Sequence, residues 1–177
     1  MADSKAAQIK ALAAHFRKLG ADDPEAWASS EINEDIPQFA RFVFLKAAWS
    51  YVVPEENDAW ISENIRHYKK ESDAPYAGIG RALMRMQERG VSNADITELV
   101  RSMQVEFLFS ICSLLAGAVV PEFLDESMPD VHWRLVDETG REPCESPTID
   151  CLHESVLETD PTGREMRPRP ESPKSKT

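Results

Sequence analysis

Apolar residues recur at helical spacing through most of residues 1–120. Ile9, Leu12, Ala13, Phe16 and Leu19 mark the first helix, capped by Asp3 or Ser4 and stopped by Gly20 in the left-handed conformation. Asp23 before Pro24 is an N-cap with proline at N1, predicting a short helical turn through Trp27. Pro37 opens the next helix, Phe39 to about Tyr51, with Phe39, Phe42, Val43, Lys46, Trp49 and Val53 in one stripe. Phe44, Leu45, Ala47 and Ala48 widen that stripe, so this helix is expected to be central.

Pro54 ends it, and Asn57 or Asp58 starts a helix with Trp60, Ile61, Ile65 and Tyr68 inward and Lys69 and Lys70 near its C-terminal dipole. Pro75 closes that segment. Ile79, Leu83 and Met86 predict a shorter helix ending at Gly90, with Gly78 and Gly80 relieving crowding at its start. Ser92 and Asp95 then form an aspartate version of a capping box, with Val91 and Ile96 at the positions of a hydrophobic staple. Ile96, Leu99, Val100, Met103, Phe107, Ile111, Leu114 and Leu115 continue one apolar stripe for about six turns to Gly117, making this the longest helix.

After Pro121 the period changes. Val131, Trp133 and Leu135 alternate with their neighbours, which predicts a strand, and Asp137-Glu138-Thr139-Gly140 supplies a turn toward a second extended piece at 148–152. A lone hairpin is marginal in water, so it is expected to lean on the helices through Trp133 and Leu135. Leu152 to Glu158 reads as a short helix, and Asp160-Pro161-Thr162-Gly163 has the preferences of a type I turn. The chain is therefore expected to be mainly α: a single-domain bundle of about five to six helices over residues 1–120, with a hairpin or extended arm over 121–160 packed on it. Residues 161–177 read as a proline-rich, largely disordered tail.

Charge sharpens this division. Residues 1–120 carry 17 acids and 13 bases, whereas 121–160 carry 12 acids against only Arg134 and Arg141, and 161–177 carry two acids and five bases. A chain of net charge −11 repels nucleic acid and attracts basic surfaces. The apolar runs at 39–53 and 107–120 fall short of the ~20 residues that span a bilayer, so no membrane segment is expected. The N-terminus lacks the pattern of a secretory signal, and three cysteines without a repeated spacing suit a reducing compartment, so the expected location is the cytoplasm.

Candidate chemistry is sparse, and neither a catalytic set, a cofactor site nor a metal site is assigned. His132, Cys144, Cys151, His153 and Glu154 contain the right ligand types for zinc, but their spacing matches no recognised finger or knuckle. His153-Glu154 begins like a zincin helix, yet Leu157 stands where the second histidine belongs. Ser155 beside that pair has no nucleophile elbow around it, and Gly78-Ile79-Gly80 follows no strand. Arg81, Arg85 and Arg89 share one helix face and are read as an internal dock for part of residues 122–160.

The expectation that follows is a non-enzymatic protein, of the immunity-protein or antitoxin kind, that binds a basic protein partner. Glu122, Asp125, Glu126, Asp130, Asp137 and Glu138 are the candidate contact residues. The competing expectation is an enzyme or metal protein working through the histidines, cysteines and Glu154 of the arm.

Overall fold

The computed structural model describes residues 2–117, 133–137 and 147–168, with the side chains from Ser4 onward. The chain is mainly helical: α1 (Ala2–Leu19), α2 (Pro24–Glu34), α3 (Gln38–Trp49), α4 (Ala59–Lys70), α5 (Gly78–Glu88) and α6 (Asn93–Leu115), followed by a 3-10 turn at Leu152–Ser155. It divides into two compact units, Met1–Trp49 with Leu108–Thr177, and Ser50–Phe107. No described helix is long and apolar enough to cross a membrane.

The core of the first unit is aromatic. Phe16, fully buried, stacks on Trp27 with ring centroids 5.9 Å apart and meets Phe39 and Phe42 edge-on at 5.4 and 5.5 Å. Such offset and T-shaped pairs exploit the ring quadrupole beyond area burial alone. Gly20, at φ 81°, ends α1 as expected, and Ala21 N–H closes back on the Phe16 carbonyl at 3.1 Å. The Asp23 carboxylate accepts from Ala26 N–H at 3.0 Å, the expected N-cap. That cap opens more than a turn: α2 runs 11 residues to Glu34, because Trp27 and Ala28 bury on the same side as Pro24.

The buried side of α3 is rotated from the expected stripe. Gln38, Arg41, Phe42, Leu45 and Trp49 face inward, while Val43 is 42% exposed and Lys46 is exposed. Val43 and Lys46, expected in the apolar stripe, are therefore on the exposed side.

Trp49 and Arg41 anchor the C-terminal segment of the same unit. Trp49 Nε1 donates to the Val156 carbonyl at 3.0 Å and to Thr159 Oγ1 at 3.1 Å, and Arg41 Nη2 donates to the Asp150 carbonyl at 2.6 Å. Ile149, Leu152 and Val156 are buried there. The segment is thus held by Trp49, Arg41 and these three aliphatic side chains. Of Trp133 and Leu135, expected to lean on the helices, Trp133 is 42% exposed and Leu135 is half-buried.

The expected hairpin does not form among the described residues. The two extended pieces meet at one antiparallel bridge, Val136 with Thr148, flanked by Asp137 N–H to the Pro147 carbonyl at 3.1 Å and Ile149 N–H to the Leu135 carbonyl at 2.8 Å. Pro147 has no N–H to donate, which works against extending the ladder. Asp160 N-caps no helix but organises the turns after it. Its carboxylate accepts from Thr162 N–H, Thr162 Oγ1 and Met166 N–H, and Gly163 N–H bonds the Asp160 carbonyl at 2.9 Å, the closure of the expected turn.

In the second unit Ile61, Leu83 and Ile96 form the core, with Trp60, Ile65, Met86 and Val100 packed against it. Gly80 makes a close helix crossing possible: a Cβ there would lie 2.1 Å from the Asn64 carbonyl oxygen. Gly78 has open space around it, so only one of the two glycines relieves crowding. Asp95 N–H bonds Ser92 Oγ at 3.1 Å as expected, while Ser92 Oγ itself donates to the Asp95 carboxylate at 2.7 Å.

The α6 stripe differs most from expectation. Leu99, Met103 and Phe107 are 51, 62 and 68% exposed, whereas Thr97 and Arg101 are buried. Arg101 Nη1 donates to the Val53 carbonyl at 3.0 Å, and Gln104 Oε1 accepts from Val53 N–H at 2.8 Å. A polar side chain that completes otherwise open backbone groups is stable inside, and the helix turns accordingly.

Candidate functional site

One cleft in the first unit brings together residues of α2, α3 and the C-terminal segment. It has a volume of about 320 Å³ and is lined by Ala26, Trp27 and Ser30 of α2, Gln38 and Arg41 of α3, and Glu154, Ser155 and Glu158 of the C-terminal segment. That is near the lower end of small-ligand sites, roughly 300–1,000 Å³.

Two side chains in this lining are buried with an unused polar atom. Gln38 is 8% exposed; its Nε2 donates to Ser30 Oγ at 2.9 Å, and its Oε1 has no partner. Arg41 is also 8% exposed; Nη2 is committed to the Asp150 carbonyl, while Nε has no partner. Buried polar groups are nearly always satisfied, because leaving one bare costs about 1–3 kcal/mol. Both atoms are closed off from water, so each carries that cost without being open to the cleft.

Two carboxylates, Glu154 and Glu158, line it, and with Asp150, which lines another cavity, they follow one another at intervals of four and are all exposed. Burial pushes the Glu158 carboxyl up from its ordinary value; Arg41 opposes that shift, and Glu165 and Asp23 add to it. Glu31 on α2 is likewise pushed up by burial and by Asp137, against the Phe39 N–H that it accepts at 2.6 Å.

A second cavity of about 290 Å³ in the same unit is lined by Leu115, Ala116, Gly117, Trp133, Arg134, Thr148 and Asp150. It has no buried unpartnered side chain in its lining among the described residues.

Of the acidic residues read from sequence, Asp137 is half-buried within electrostatic reach of Glu31. Glu122, Asp125, Glu126, Asp130 and Glu138 lie outside the described residues. Arg81 and Arg85 on α5 and Arg89 at its C-cap are exposed, and much of the acidic stretch expected to dock there lies outside the described residues.

His132 and Cys144 are outside them too. His153 packs its ring edge-on against Phe109 at 5.7 Å, with Nδ1 unpartnered, and no hydrogen bond joins it to Ser155. Among the described residues no group of three or more His, Cys, Asp or Glu is placed to hold a metal ion. Cys112 is fully buried and its thiol is pushed up to about 11.

Sequence reasoning missed Ser30, Gln38, Arg41 and Glu158. A signal was present: Gln38, Arg41, Leu45 and Trp49 recur at helical spacing on one side of α3. Comparison of the chain with protein-family models, curated proteins and solved structures finds no match.

Proposed function

We propose that the chain is a non-enzymatic interaction protein that binds a basic protein partner through its acidic C-terminal region, in the manner of an immunity protein or antitoxin. The observation that carries this reading is the excess of 12 acids over two bases in residues 121–160, on a segment whose described part is anchored. Asp150, Glu154 and Glu158 project from backbone fastened by Arg41, Trp49 and three buried aliphatic side chains. Carboxylates on a fixed backbone lose little conformational entropy on binding, which favours affinity and register.

A reducing cytoplasm suits the reading, since Cys112 and Cys151 are free thiols. Glu122, Asp125, Glu126, Asp130, Asp137 and Glu138 would extend the same acidic surface.

The test is titration of the full chain with an octalysine peptide at low salt, comparing wild type with the combined variant Asp150→Asn, Glu154→Gln, Glu158→Gln. Binding that weakens about tenfold or more in the variant supports the reading. Equal binding by both proteins rules out these carboxylates as the contact.

A further inference from the structure

Within the second unit, α6 carries two rows of side chains at intervals of four. Thr97, Arg101 and Val105 are buried, while Leu99, Met103 and Phe107 are each more than half exposed. A two-residue offset places the rows on opposite sides of the helix, and the bonds of Arg101 and Gln104 to Val53 fix its rotation. The exposed row therefore cannot turn inward without breaking those bonds. A single exposed apolar side chain is ordinary, whereas three in succession on one helix face make a patch of the kind that binds other proteins.

Acids border the row on both sides. Asp95 and Glu106 lie along one edge of α6 and are exposed. On the other edge Gln104 accepts from Val53 N–H, and Asn93 Nδ2 donates to the Asp58 carboxylate at 2.6 Å. Asn93 and Gln104 are about three turns apart and so share a side of the helix. The chain from Val53 to Asp58 is thus pinned at both ends along that edge and brings Glu55 and Glu56 to it. Arg101 is the only base in residues 50–58 and 93–107, and it is buried. Every accessible charge on these two stretches is negative.

We propose that this face of α6 docks an amphipathic helix of a protein partner, whose apolar stripe runs between two rows of lysine or arginine. Side chains at intervals of four form the ridges by which helices pack, and Met103, unbranched and polarisable, adapts to the side chains it meets. The flanking cations meet the acids of both edges. A second copy of this chain is disfavoured as occupant, because it would set the same acids against one another with no accessible base from either stretch. The surface uses none of Asp150, Glu154 or Glu158, so the inference goes beyond the C-terminal reading and does not rest on it.

The experiment measures binding of the full chain to a capped leucine-lysine peptide of about 18 residues, long enough to hold a helix, by fluorescence anisotropy at about 0.15 M salt. Leucines stand at i, i+3, i+4 and i+7. One control has the same composition with the leucines shuffled off that spacing, and another replaces lysine with glutamate. The expected result is binding to the parent peptide, at least tenfold weaker binding to either control, and a similar loss in the combined variant Leu99→Ser, Met103→Ser, Phe107→Ser. Glu55→Gln with Glu56→Gln weakens binding in a salt-dependent way, and Asp150→Asn, Glu154→Gln, Glu158→Gln leaves it unchanged. The serine positions are exposed, so that variant is expected to keep its helical circular dichroism; Met103→Gln alone is the milder change should it melt early.

Absence of binding to the parent peptide, equal binding of the shuffled peptide, or undiminished binding by the folded serine variant and by Met103→Gln overturns the proposal. If binding is then lost in Asp150→Asn, Glu154→Gln, Glu158→Gln, the C-terminal reading survives alone. Preference for the leucine-glutamate peptide also overturns it. Concentration-dependent dimerisation in sedimentation, abolished by the serine variant, assigns the face to a second copy and likewise overturns it.

Discussion

Arg41 Nη2 donates to the carbonyl oxygen of Asp150 at 2.6 Å, joining residues 109 positions apart. That bond holds the C-terminal segment beside α3, while Arg41 Nε is buried without a partner. One side chain thus serves both the anchoring of the acidic segment and the floor of the candidate site. Replacing Arg41 with Ala removes a charge-assisted bond and the packing of the buried stem, and is expected to cost about 2 kcal/mol or more. Limited proteolysis should then cut residues 147–168 faster than in wild type; unchanged cleavage and unchanged midpoint in denaturant would show that the bond carries no weight.

Trp49 supplies the companion anchor. Trp49→Phe keeps an aromatic ring but deletes the donor shared by Val156 and Thr159. A loss of about 1–2 kcal/mol in urea unfolding is expected, larger than for a conservative change at an exposed tryptophan such as Trp133.

The two glycines at the start of α5 give a paired test. Gly80→Ala places a methyl group against the Asn64 carbonyl and is expected to destabilise by about 1–3 kcal/mol or more. Gly78→Ala meets nothing within 4 Å and is expected to be neutral or stabilising by up to about 1 kcal/mol. Thermal melts of the two variants should move in different directions, or at least by clearly different amounts.

Elements were more legible in the sequence than faces. Apolar spacing, Asp23 with Pro24, Gly20 and the Ser92 cap located the helices because these signals act within one turn. The orientation of α3 and α6 was not legible in the same way. Arg41, Arg101 and Gln104 face inward to serve Asp150 and Val53, backbone groups distant in sequence, and a pattern that sends polar residues outward places them on the wrong side. Leu99, Met103 and Phe107 were assigned inward for the same reason and are exposed. The cleft was invisible for a related cause: its floor is made of a glutamine and an arginine whose burial depends on packing, whereas its rim of Glu154 and Glu158 belongs to the acidic region the charge distribution had already marked.

The raised carboxyl of Glu31 predicts a definite pH dependence. Its folded-state value lies above the unfolded one, so ionised Glu31 detracts from stability at neutral pH, and the penalty fades as pH falls through the folded value toward about 4.5. Glu31→Gln keeps an oxygen for the Phe39 N–H without the buried charge. The variant should be the more stable protein at pH 7, with the difference shrinking toward zero near pH 4; a constant difference across that range would contradict the assignment.

Cysteine reactivity should separate cleanly. With its thiol at about 11, Cys112 is roughly one part in a thousand thiolate at pH 8, and it is buried besides. Iodoacetamide under native conditions is expected to modify half-buried Cys151 well before Cys112, as read by peptide mass mapping.

Binding of a basic partner surface by the acidic C-terminal region, as proposed, must depend on salt. The measurement is the affinity of the full chain for octalysine at about 0.01 M and about 1 M salt, where the Debye length falls from roughly 30 Å to roughly 3 Å. The expected result is binding at low salt that weakens by at least an order of magnitude at high salt and is absent for an octaglutamate control. Absence of octalysine binding at low salt, or binding indifferent to salt, would contradict it.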